Sequence, residues 1–275
     1  MISLSSMQQT RAAEEKSLKV EQMLLSPSED GPPFPSDSRF VPGEVVFFSC
    51  HVSGFARQGE EPPKMYLSFL IGVKDANGIP IEAPEAGKVS EALSPQDKEW
   101  RPKIRHTVTI PPFAASGRYV LTVQVRDELA KTETVGSVSL EVVGKKVEPS
   151  ATLVARNFRF LRSEEDGAAL KIAAYAQGDT VWARFDMTGY KLGEKNEYDV
   201  EYGLKVLRPG GDVTFERAQA AQEKNETFYP QRYTPGILSL TIPKDMQKGE
   251  YTIVLSIRDN LGKQSYETRE KFSVE

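Results

Sequence analysis

A single cysteine, Cys50, stands in 275 residues. That excludes an intramolecular disulfide and any thiolate cluster for a metal. Histidine is nearly as scarce, with only His51 and His106. Cys50 and His51 are adjacent, and neighbouring residues of a strand point to opposite faces, so the two do not form a nucleophile–base pair. A buried apolar thiol is the plainer reading of Cys50. No apolar run approaches the ~18 residues of a membrane-spanning helix. Phosphate-cradling Gly-Lys-Ser loops, the GxSxG elbow and HExxH are all missing. Charge of one sign is lacking too, with 35 basic against 39 acidic residues and a net charge of -4. A nucleic-acid binder would carry a basic stripe. Residues 1–17 are polar after Leu4 and hold no signal-peptide core as written, so a disordered or leader-derived tail is expected there.

What the chain does contain, it contains twice. Residues 41–55 align with 176–190, matching Gly43-Glu44 to Gly178-Asp179 and Gly54-Phe55 to Gly189-Tyr190. Residues 69–78 align with 202–211. Residues 109–127 align with 241–259 through a shared Thr-Ile-Pro, a Gly-x-Tyr and a closing Arg-Asp. Three blocks in one order imply a tandem duplication.

Each copy reads as all-β. Tyr119, Leu121, Val123 and Val125 alternate with polar or smaller residues, the period of a strand with one buried face. Asn77-Gly78 and Gly210-Gly211 supply the positive φ that tight hairpins need. Proline clusters fall between the strands. Only residues 11–25 and 218–224 show any helical propensity. The expected architecture is therefore two β-sandwiches, residues 18–146 and 151–275, joined by a short linker at 147–150.

The Gly-x-Tyr, alternating strand and Asp of each copy resemble the penultimate strand of immunoglobulin-like and fibronectin-like sandwiches. The Pro-Gly-Glu-Val-Val at 42–46 resembles macroglobulin-type and other exported bacterial sandwich modules. This resemblance implies tandem immunoglobulin-like domains, with Tyr119 and Tyr251 at a structural corner and extracytoplasmic interaction or spacer roles without catalysis. Asp127 and Asp259 hold the same place in the two copies, which points to a shared requirement of the fold.

Chemistry is sparse. Asp75-x-Asn77-Gly78 and Asp259-Asn260-x-Gly262 offer oxygen ligands of the kind calcium favours, but Asp and Asn also set turn geometry by bonding their own backbone. Turn-setting is the expectation, with no metal and no cofactor. The aromatic loop at 227–236, with Phe228, Tyr229, Arg232 and Tyr233, and Trp100 in the first copy are the candidate ligand-binding residues.

The leading reading is a non-enzymatic binding, scaffold or spacer protein, exported and bacterial, contacting a protein partner through loops or an edge strand. The alternatives are a carbohydrate-binding module using the aromatic loops, a two-sandwich periplasmic chaperone with Arg184 or Lys205 as basic anchor, and a carboxylate-based hydrolase. Neither nucleic acid nor a membrane span is expected, and a periplasmic or extracellular setting is favoured.

Overall fold

The computed structural model describes residues 17–94 and 99–275. Every regular element among them is a strand. The chain divides into two compact units. The first holds the described residues up to Phe40 with Glu44–Ile110 and Gly117–Glu141. The second holds Val142–Glu275 with the short segments Val41–Gly43 and Pro111–Ser116.

The first unit is built from β1 (Lys19–Ser26), β2 (Arg39–Phe40), β3 (Val45–Ser53), β4 (Lys64–Lys74), β5 (Glu85–Ala92), β6 (Lys103–Thr109), β7 (Gly117–Asp127) and β8 (Glu133–Val142). They form a three-stranded sheet, β1-β3-β6, and a five-stranded sheet, β2-β8-β7-β4-β5. The second unit is built from β9 (Val154–Leu161), β10 (Ala174–Tyr175), β11 (Thr180–Thr188), β12 (Tyr198–Leu207), β13 (Val213–Asn225), β14 (Tyr233–Thr241), β15 (Gly249–Asp259) and β16 (Gln264–Val274). Its sheets are β14-β11-β9 and β10-β16-β15-β12-β13. Strand for strand, the two orders are the same.

Alternation builds the cores. Val46, Phe48, Cys50 and Val52 on β3 are at most 1% exposed, as are Tyr119, Leu121, Val123 and Val125 on β7. In the second unit Val181, Ala183, Phe185 and Met187 on β11 meet Tyr251, Ile253, Leu255 and Ile257 on β15 in one cluster. Each such side chain contributes roughly 1.5–3 kcal/mol by leaving water.

The backbone repeats its special positions as well. Positive φ recurs at Gly54 (74°) and Gly189 (79°), and at Lys131 (58°) and Lys263 (55°). At Gly189 a Cβ would lie 2.0 Å from the Thr152 carbonyl oxygen, so no larger residue fits.

Residues 218–224, and residues 19–25 of the other segment with helical propensity, turn out as strand. Residues 218–224 lie inside β13, which pairs with β12 from Tyr198↔Asn225 to Leu207↔Val213. Residues 19–25 lie in β1, paired with β3. Cross-strand pairing overrides a weak local preference that no tertiary contact supports. Residues 1–16, which hold most of the expected tail, lie outside the described residues.

Candidate functional site

The corner aspartates act on backbone. Asp259 is 0% exposed. Its Oδ1 accepts the amides of Leu261 (3.1 Å) and Gly262 (2.8 Å), and its Oδ2 accepts the amide of Lys191 (2.9 Å) and the Gln264 side chain (3.2 Å). Asp127 repeats the pattern with the amides of Leu129 (2.8 Å), Ala130 (3.1 Å) and Ala56 (2.5 Å). One carboxylate thus closes a tight turn and fastens it to the loop that follows the second long strand of its own unit. The Tyr251 hydroxyl donates to the Gln247 carbonyl at 2.7 Å, four residues upstream. Tyr119 is 1% exposed at the matching place.

Asp75 serves the Asn77-Gly78 turn in the same spirit. Its Oδ1 accepts the amides of Asn77 and Ile79, both at 2.8 Å. No cluster of three or more His, Cys, Asp or Glu suited to a metal occurs among the described residues.

Cys50 is 0% exposed, and burial pushes its thiol up to about 11. At that value it carries almost no thiolate at neutral pH. His51 is half-buried on the other face of β3, and burial, aided by Lys103 and Arg101, holds its imidazole below the usual range.

The aromatic loop faces two ways. Phe228 is 58% exposed and Arg232 is exposed, whereas Tyr229 and Tyr233 are buried at 6% and 9%. Side chains fasten the loop from beneath. Asn196 donates to the Phe228 carbonyl (2.7 Å), Thr188 to the Arg232 carbonyl (2.9 Å), and Tyr190 to the Gln231 carbonyl (2.7 Å). The loop therefore presents one ring and one guanidinium to solvent. Trp100, 38% exposed, belongs to the first unit. Of the two proposed basic anchors, Arg184 donates to the Glu164 carbonyl, and Lys205 pairs with Glu216 at 3.2 Å.

Two features carried no local signal. The first is a buried ion pair: Asp186, 0% exposed, accepts from Lys145 Nζ at 2.5 Å and from Asn157 Nδ2 at 2.8 Å. The second is the open side of the second unit. Its five-stranded sheet ends at β13, and β14 ends the three-stranded sheet. Between them lies a cleft of about 610 Å³. Val206, Leu240 and Met246 line it with Phe215, Arg208 and Arg217. The Arg217 guanidinium lies over the Phe215 ring, 6.0 Å from its centroid. Neither arginine has an ion-pair partner among the described residues.

No family model matches the chain, and no curated protein matches it. Among solved structures, it is similar to the C-terminal domain of the antigen I/II polypeptide BspA of Streptococcus agalactiae. The identity is 10% over 94% of this chain and 99% of that one, with a TM-score of 0.29. The C-terminal domain of the Streptococcus pyogenes antigen I/II-family protein AspA gives 9%, 94%, 99% and 0.29 in the same order. A family 123 glycoside hydrolase from Clostridium perfringens matches at 13% identity over 45% of this chain, with a TM-score of 0.30. The chain covers 27% of that enzyme. Likenesses this distant assign the chain no activity, and its fold class, all-β, rests on its own strands.

Proposed function

We propose that this chain is a non-enzymatic binding protein, exported and bacterial, that engages a protein partner through the free edge of β13. The observation that carries the reading is β13 itself. It is the longest strand among the described residues, at 13 residues, and it pairs on one side only, with β12. Eleven of its 13 residues are exposed. A free edge of that length offers a row of backbone donors and acceptors to an incoming strand. Natural edges are guarded by short length, proline, charge or bulges; β13 is long and free of proline, and its guards are charges and two register shifts against β12. Its charges, Glu216, Arg217, Glu223 and Lys224, discourage pairing between copies and leave room for a selected partner.

The tandem immunoglobulin-like reading has its own support. The three-against-five strand order, the parallel pairing of β10 with β16 and the Tyr251 bond to Gln247 all fit it. Duplication is supported by the common strand order and the matched positive-φ positions.

A photo-crosslinking residue at Gln219, introduced into the full chain in its native host, tests the reading. A discrete adduct from Gln219, absent when the same residue replaces Glu267 on β16, is the expected result. No adduct, or the same adducts from both positions, would count against an edge-binding role.

A further inference from the structure

The two units treat the same edge differently. On β4, Ile71 pairs with Glu85; on β12, Leu204 pairs with Arg217. Ile71 and Leu204 hold matching places in the repeat, so Glu85 and Arg217 do too. Likewise Phe48 pairs with His106 on β6, and Ala183 pairs with Leu238 on β14, which makes His106 and Leu238 counterparts. Directly paired residues share a face of the sheet. Ile71, Leu204, Phe48 and Ala183 are core residues, so their partners point inward as well.

In the first unit those inward positions are stapled together. His106 Nδ1 lies 2.5 Å from Glu85 and Nε2 lies 2.6 Å from Glu82, and the ring is 6% exposed. In the second unit no such staple can form, because one counterpart is leucine and the other is arginine. A cleft of about 610 Å³ stands there instead. Three strands cannot cover five, and the inner face of β13 overhangs. Phe215, opposite Val206, and Arg217 occupy the places of core side chains but are left exposed. Arg208 flanks the same cleft.

We infer that this cleft takes an extended acidic segment of a partner protein, laid along β13 as an added strand, with apolar and acidic residues in alternation. This inference rests on the edge-binding reading above and specifies the partner's chemistry. Pairing with the β13 backbone sets the direction of the segment. Its inward side chains are then the acidic ones, whose carboxylates meet Arg208 and Arg217 and whose stems pack on Phe215, Leu240 and Met246, while its apolar residues fall on the outer face. Guanidinium–carboxylate pairs are directional and strong when partly desolvated. Among the lining residues only Asp245 opposes that charge. The other polar lining groups, Thr214, Ser239, Thr241 and Gln247, are neutral.

The probes are blocked, fluorescein-labelled decapeptides alternating valine with glutamate, with lysine or with serine, titrated against the full chain. The glutamate peptide is expected to bind saturably and the lysine peptide not at all. Arg217→Glu, which installs the charge found at Glu85, and Arg208→Glu are each expected to weaken binding at least tenfold. Glu267→Lys is expected to leave it unchanged. Both arginines are exposed, and equal melting temperatures confirm that their variants fold. The inference is overturned if no peptide binds saturably, if the lysine peptide binds as well as the glutamate one, or if both arginine variants bind like the parent. Displacement of the peptide by equimolar galacturonate would also overturn it, by assigning the cleft to a small acidic sugar. An adduct from Gln219 together with peptide failure defeats this inference alone; loss of both defeats the edge-binding reading too.

Discussion

Lys145 Nζ lies 2.5 Å from the carboxylate of Asp186, a group with no solvent exposure of its own. The lysine side chain is 40% exposed, so the two partners are not equivalent. Removing the cation strands a buried negative charge, with Asn157 as its remaining donor. Removing the negative charge leaves a lysine that can turn to water. Lys145→Met is therefore expected to cost about 2–3 kcal/mol, and Asp186→Asn about 1 kcal/mol or less. Urea unfolding of the two variants measures the asymmetry; equal costs would mean that the pair behaves as a surface contact.

The His106 staple makes the first unit sensitive to pH. Hydrogen bonding to Glu82 raises the imidazole above its usual range, burial opposes this, and Glu85 adds to the rise. A folded-state value above the unfolded one stabilises the fold fully below the unfolded value, about 6.5. The contribution is lost as pH rises through the folded value. The melting temperature of the first unit should therefore fall as pH rises above about 6.5. His106→Gln should flatten that slope. A slope unchanged in the variant would place the sensitivity elsewhere.

The corner aspartates should be costly to remove. Asp259→Ala leaves the amides of Lys191, Leu261 and Gly262 without their acceptor in a buried site. The expected loss is about 3 kcal/mol, and Asp127→Ala should lose a similar amount. Denaturant titration followed by tryptophan fluorescence reads both. A loss below about 0.5 kcal/mol in either, within the range of ordinary surface substitutions, would show that its turn holds without the carboxylate.

Cys50 should be silent. With the thiol pushed up to about 11 and no solvent exposure, iodoacetamide at pH 8 should leave the native protein unmodified and label it fully in urea. Rapid native labelling would mean that β3 opens far more readily than a central strand should.

The parts of this structure readable from the letters are those in which one residue meets its near neighbours. The β3 and β7 alternations follow directly from burial on one face, and the Asn77-Gly78 turn follows from the φ of Gly78, 79°. The proposed binding surface was harder to see because its causes are remote. Residues 218–224 have no apolar alternation, since this overhanging edge strand packs only the small Ala220 and Ala221 against the core, and propensity alone then suggests helix. Tyr229 and Tyr233 turn inward in a loop held by Asn196, Thr188 and Tyr190, each 30 or more residues away. Lys145 and Asp186 are 41 residues apart and match no motif. The contrast between Glu85 and Arg217 emerges only when strand pairing puts them in register, because no matched block of the sequence covers either residue.

Amide hydrogen exchange on β13 tests the edge-binding role most directly, measured on the isolated chain and on the complex crosslinked in the native host. Free-edge amides of β13 should exchange rapidly in the isolated protein and slow at least tenfold in the complex, with β16 unchanged. Unchanged exchange on β13, or protection confined to the loop around Phe228, would contradict binding through this edge.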